Sequence, residues 1–280
     1  MNIELNNQSL YYQIEGDEGT PVVLVMGFGM SGQAWLPQIE GLKEKHRVLW
    51  FDNRGIGRSE ISKTAYRLPD LANDTKNLMD HVGWESVHLV GVSMGGMIAQ
   101  QLAVTHPSRV KSLSLIATLP RLRLGLRRTS RQYAPSRKGL FYFLRANLTR
   151  GEKRLATLRR LLFSRRYIES SQGEHGFSEG SMEAFAVPAD RWTLKNQLQG
   201  ILTFDLRDKL HALKDIPTVV LRPEGDLLVD PKNSDLIHQL IPGSRLISFP
   251  LAGHGLTQEC APAVNQVLLE HFAAADRLSN

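Results

Sequence analysis

The stretch Val87–Gln101, VHLVGVSMGGMIAQQ, constrains this chain more tightly than any other. Its apolar start (Val87, Leu89, Val90, Val92) reads as a buried strand, and its alanine- and glutamine-rich end reads as a helix. Between them, Gly91-Val92-Ser93-Met94-Gly95 predicts a sharp strand-to-helix turn with Ser93 at its apex. Glycines two residues to either side let neighbouring backbone pass close by. The hydroxyl of Ser93 would then stand beside a helix N-terminus, whose unpaired N–H groups suit a site where an oxyanion forms.

The rest of the chain supplies the context such a turn needs. Ile3–Leu5 and Leu10–Glu15 read as an edge hairpin. Pro21 introduces the continuous apolar run Val22–Met26, which ends in Gly27-Phe28-Gly29-Met30-Ser31-Gly32; Ser31 is placed to cap a helix carrying Trp35, Ile39 and Leu42. Strands are predicted at Arg47–Phe51, Val110–Ala117, Ile216–Leu221 and Arg245–Phe249. Helices are predicted from Asp70 to about Val82, around Leu236–Leu240, and from about Ala261 to Ala275. Strands that alternate with helices and are apolar on both faces imply an α/β fold with a mostly parallel, doubly wound sheet. The alternation breaks between Pro120 and Leu202, so residues 120–202 are expected to form a helical cap inserted after the sixth strand. Residues 1–119 and 203–280 would then form the core.

A serine hydroxyl needs a base, and the base needs an orienting group. Of nine histidines, His254 stands in the loop Leu251-Ala252-Gly253-His254-Gly255 just after a predicted strand, where it could reach Ser93. His46, His88, His106 and His271 fall on or at the ends of ordinary elements and read as surface or packing residues. For the acid, Asp226 leads; Asp230, before Pro231, resembles a helix cap, and Glu224 is the other competitor.

These motifs together resemble the α/β-hydrolases over nearly everything outside the insertion. Ser93, Asp226 and His254 follow the family's order of nucleophile, acid and base. Gly27-Phe28-Gly29 resembles the family's oxyanion loop, with Met26 in place of the usual histidine, and implies the N–H groups of Phe28 and Met94 as donors. Asp52-Asn53-Arg54-Gly55-Ile56-Gly57-Arg58-Ser59 resembles a structural turn of the family, and Gly253-His254 with Glu259, Pro262 and Asn265 follows its pattern after the base. Pro223 departs from it, standing where many relatives carry glycine.

The resemblance implies a serine hydrolase of carboxylic esters, lactones or thioesters of apolar small molecules, working through an acyl-enzyme without metal or organic cofactor. Serine at the nucleophile position disfavours epoxide hydrolases and haloalkane dehalogenases of this fold, which use aspartate. Hydroxynitrile lyases, perhydrolases and carbon–carbon bond hydrolases keep the serine and stay open, as does a relative that only binds a ligand or partner.

Charge is unevenly distributed. The chain carries +6 in all, yet Arg121–Ile168 holds fifteen Lys or Arg against one acid, Glu152. Three readings of this basic cap compete: a solvated face whose arginine stems cover apolar surface, a surface that docks on anionic lipid or substrate aggregates, and recognition of an anionic substrate. Nucleic-acid binding ranks last because no reading motif accompanies the charge. The single cysteine, Cys260, excludes an intrachain disulfide. No apolar run approaches the ~18–20 residues of a membrane span, and the N-terminal residues lack a signal-like apolar segment, so a cytoplasmic protein is expected.

Overall fold

The computed structural model describes residues 1–5, 7–122, 136–170 and 189–279. Its centre is an eight-stranded sheet: β1 (Asn2–Leu5), β2 (Gln8–Glu15), β3 (Pro21–Val25), β4 (Arg47–Phe51), β5 (Val87–Val92), β6 (Val110–Ile116), β7 (Thr218–Pro223) and β8 (Arg245–Phe249). The spatial order is β1-β2-β4-β3-β5-β6-β7-β8; β2 runs antiparallel to both its neighbours, β1 and β4, and the remaining pairs are parallel. The helices of the sheet are α1 (Leu36–Leu42), α2 (Leu68–His81) and α3 (Met94–Thr105) in the first half. Among the described residues, four more follow β6 before the sheet resumes: α4 (Arg137–Leu148), α5 (Gly151–Leu162), α6 (Arg165–Ile168) and α7 (Arg191–Thr203). The chain ends with α8 (Lys232–Leu240), α9 (Leu256–Glu259) and α10 (Ala261–Ser279).

The apolar runs are buried on both faces because successive side chains of a strand point to opposite sides. Val23, Val25, Leu49, Phe51 and Leu89 join one core with Leu71 and Leu78 of α2 and Ile98 and Leu102 of α3. Val22, Leu24, Val48, Trp50 and Val90 join the other with Ile39 of α1 and Leu268 and Phe272 of α10. A central strand serving two cores has no solvent face, which is why β3 and β5 show no polar alternation.

The winding direction reverses between β3 and β5. From β3 the chain steps outward to β4, then returns across β3 to lay down β5 and continues towards β8. Loops after strands on either side of such a reversal diverge and leave a crevice at the strands' C-terminal ends. The loops holding Gly27–Gly29 and Ser93 are the two that flank it.

Boundaries differ from expectation in a few places, each for a local reason. Helix α2 begins at Leu68 because Asp70 reaches back, its Oδ2 accepting the Arg67 N–H at 2.7 Å, with Pro69 in the first turn. Strand β6 ends at Ile116 because Ala117 turns into the left-handed region at φ +47°. Strand β7 runs on to Pro223, in register with Phe249, where an edge-side proline gives up no ladder bond.

Candidate active site

Ser93 lies between β5 and α3 with φ +56° and ψ −122°, a conformation costly for a residue with a Cβ. Its surroundings over-determine it: its N–H donates to Ile116 O at 2.9 Å, and its carbonyl accepts the Thr118 hydroxyl at 2.7 Å. The flanking glycines are required by close approach. A Cβ on Gly91 would lie 2.3 Å from Gly95 O, and one on Gly95 would lie 2.0 Å from Val25 O. The residue at the apex is thus held in a strained turn that its neighbours cannot relax.

Asp226, at the end of the β7 loop, is 8% exposed. Its Oδ1 accepts the N–H groups of Leu228 at 2.7 Å and Val229 at 2.9 Å, so the carboxylate cannot rotate freely. Its Oδ2 accepts the Nδ1–H of His254 at 2.6 Å. That bond selects the tautomer whose Nε2 carries a lone pair. The two competing acids are occupied elsewhere: Asp230 accepts the Lys232 N–H at 3.0 Å, and Glu224 pairs with Arg222 at 3.1 Å.

His254, 6% exposed, shares one cavity of about 250 Å³ with Ser93, Met94 and the Gly27–Gly29 loop. Among the described residues, neither Ser93 Oγ nor His254 Nε2 takes part in a hydrogen bond, so both polar atoms remain available to a bound molecule. The N–H groups of Phe28 and Met94 likewise donate to no described residue, whereas the neighbouring Gly29 N–H is taken by the Gln197 side chain at 2.9 Å.

The Asp52–Ser59 turn is structural. Asp52 Oδ1 accepts from Ser31 Oγ (2.6 Å) and Gly32 N (2.8 Å), while Oδ2 accepts from Arg58 N (3.0 Å). Arg54 grips Asp74 through two hydrogen bonds. The turn thereby ties the Gly27–Gly32 loop to α2.

The helices between β6 and β7 cover the crevice. Phe143 of α4 meets Phe28 at 5.7 Å between ring centres, and Gln197 of α7 reaches Gly29. The carbonyl of Leu162, at the end of α5, accepts the Gly255 N–H at 2.7 Å. Glu259 links the same two segments, accepting from Gly253 N (3.0 Å), Ser164 N (3.1 Å) and Ser164 Oγ.

Two features were beyond the motifs, Gln197 on the Gly29 amide and the place of Arg154; Glu259 belongs to the pattern after the base, but its bonds to Ser164 did not show in it. The sequence suggests an apolar face of Leu155, Leu158 and Leu162 flanked by arginines; in the structure the buried face of α5 carries Arg154, Leu158 and Leu161, spaced one helical turn apart. The remaining buried histidines pack. His88 donates or accepts with Ser112 Oγ at 2.8 Å and stacks on Phe272, and burial pushes its pKa down to about 4.

A doubly wound sheet with a serine held at a strained strand-to-helix apex defines an α/β-hydrolase architecture. The family model described as the alpha/beta hydrolase fold matches residues 20–257, and the chain belongs to that family. It is 30% identical over 269 residues to the putative carbamate hydrolase RutD of Azorhizobium caulinodans, covering 96% of each chain. Solved structures with the same fold include the enol-lactonase of Burkholderia xenovorans, at TM-score 0.80 and 24% identity over 98% of this chain and 100% of that one. A thermophilic esterase of Thermogutta terrifontis gives TM-score 0.79 and 24% identity over 98% of both. No described helix is long and apolar enough to cross a membrane.

Proposed function

We propose that the chain is a serine hydrolase that cleaves carboxylic esters or lactones of small, largely apolar molecules. Ser93 is the nucleophile, His254 the base, Asp226 the orienting acid, and the amides of Phe28 and Met94 the oxyanion donors. The observation that carries the reading is the strained Ser93 facing the same cavity as His254, whose Nδ1–H is committed to Asp226 at 2.6 Å.

In this reading Ser93 Oγ attacks the carbonyl carbon while His254 Nε2 takes its proton. The carbonyl electron pair moves onto oxygen, and the tetrahedral oxyanion is met by the two unengaged amides. Collapse expels the leaving alkoxide, which takes the proton from the imidazolium, and leaves Ser93 acylated. Water then attacks the acyl carbon, giving its proton to His254, and the acid departs as Ser93 recovers its hydrogen. Asp226 keeps its charge throughout and stabilises the transient imidazolium.

The wall of the cavity, built from residues such as Phe143, Leu158, Leu194 and Ile201, supports a preference for apolar substrates. A carbamate carbonyl is open to the same attack, and the full-length similarity to a protein named as a putative carbamate hydrolase supports testing that class beside the esters. The test is hydrolysis of a p-nitrophenyl ester series from acetate to palmitate plus a p-nitrophenyl carbamate, with fluorophosphonate labelling alongside. The wild type is expected to turn over medium-chain esters and to label, and Ser93→Ala to do neither. Absence of turnover and of labelling in the wild type would overturn the reading and leave a ligand-binding member of the family.

A further inference from the structure

Arg154 is the one arginine of α5 whose side chain is enclosed in the wall of the Ser93 cavity, at 8% exposure. It stands on the same face as Leu158 and Leu161, both buried. Its Nη1 donates to Ala146 O at 2.8 Å, and its Nε is buried with no partner. Among the described residues no carboxylate pairs with it, and burial draws its pKa below the usual guanidinium value. By contrast Arg54, a partly buried arginine, is clamped by Asp74.

Taking a charge out of water without a counter-charge is costly, so cations in protein interiors are normally paired. A leucine at this position would cover the cavity at far lower cost. The uncompensated guanidinium, with most of its five donors unspent, therefore suits an anion that arrives with the ligand. Building on the esterase reading, we infer that Arg154 reads a carboxylate on the substrate, carried at the far end of a short apolar chain from the scissile carbonyl. A carboxylate neutralises the single positive charge one for one, whereas a phosphate dianion would leave net charge in an otherwise apolar chamber. The cavity, about 250 Å³, limits the ligand to a small molecule.

The test compares mono-p-nitrophenyl adipate, which ends in a carboxylate, with p-nitrophenyl hexanoate, which does not. In the wild type the adipate ester is expected to have the higher kcat/KM. In Arg154→Leu the adipate-to-hexanoate ratio is expected to fall about 10- to 100-fold, with Arg154→Lys keeping part of it. An unchanged ratio in Arg154→Leu would overturn the inference. A second readout needs no turnover: adipate should raise the melting temperature of the Ser93→Ala protein, hexanamide should not, and Arg154→Leu should abolish the rise. Arg154→Leu also removes the hydrogen bond to Ala146 O, so some loss of melting temperature is expected in the unliganded protein; such a loss with an unchanged adipate-to-hexanoate ratio would assign Arg154 to holding the two helices together and overturn the proposal. Adipate binding through Arg154 with Ser93 unreactive to fluorophosphonate would sink the hydrolase reading alone. Labelled Ser93 with no adipate effect would sink the anion site alone.

Discussion

Replacing Asp226 by asparagine separates the role of this acid from that of its neighbours more sharply than any deletion. The two oxygens of Asp226 do different things: Oδ1 accepts two backbone N–H groups, and Oδ2 accepts from His254. Asparagine has one acceptor oxygen and one donor nitrogen. The amides of Leu228 and Val229 will claim the oxygen, so the NH₂ group must face His254. The imidazole can meet a donor only by presenting its Nδ1 lone pair, which puts the proton on Nε2. An imidazole protonated there cannot accept the Ser93 proton. A loss of roughly 10⁴-fold in kcat is expected, about 5.5 kcal/mol of transition-state stabilisation, with KM little changed. Both backbone bonds survive, so the protein should remain folded. Steady-state hydrolysis of a p-nitrophenyl ester measures the loss, with Asp230→Asn and Glu224→Gln as controls expected to stay within about threefold of wild type. A fall of less than tenfold in Asp226→Asn, or a larger one in either control, would refute the reasoning.

Three further outcomes follow from the same geometry. Gly95→Ala sets a Cβ 2.0 Å from Val25 O, a backbone atom that cannot move aside, and should destabilise by about 3 kcal/mol or more in denaturant unfolding. Glu259→Gln cannot serve three donors as a carboxylate does, so the His254 loop should loosen from α5; kcat/KM is expected to fall about tenfold while Ser93 still labels, only more slowly. Burial lowers the pKa of His271 to about 4, with nearby Arg245 also opposing protonation. A depressed folded pKa means stability that is complete above about pH 6.5 and is lost as pH falls towards 4, by at most about 3 kcal/mol. Urea midpoints across that window should fall for the wild type and fall less steeply for His271→Leu, with buried His88, whose pKa is also lowered to about 4, supplying part of the remaining slope.

How much of this was readable without coordinates varies with the range of the interaction. The Ser93 turn was legible because it is made by contiguous residues: an apolar strand, two glycines and a helix start leave the chain few other conformations. The α/β alternation was legible for the same reason, since burial on both faces leaves its mark within each strand. The ends of elements were less so. Ala117 adopts a left-handed backbone that its identity does not advertise, and Pro223 extends a strand it would ordinarily terminate.

The acid and the cap belong to another category. Asp226, Asp230 and Glu224 lie within seven residues of one another, and only the geometry of β7 beside β8 decides which carboxyl meets the His254 ring. Arg154 stood among fifteen cations of similar context, and composition alone favoured solvent for all of them. The packing of α5 over the crevice turned this one inward, against the Ser93 cavity, and left its charge uncompensated. By itself the sequence determined the sheet, the turn and the residue types available for chemistry, because each is written in local periodicity and backbone sterics. Tertiary structure decided which carboxylate faces the histidine and which arginine faces the cavity, because those choices depend on contacts between residues far apart in the chain.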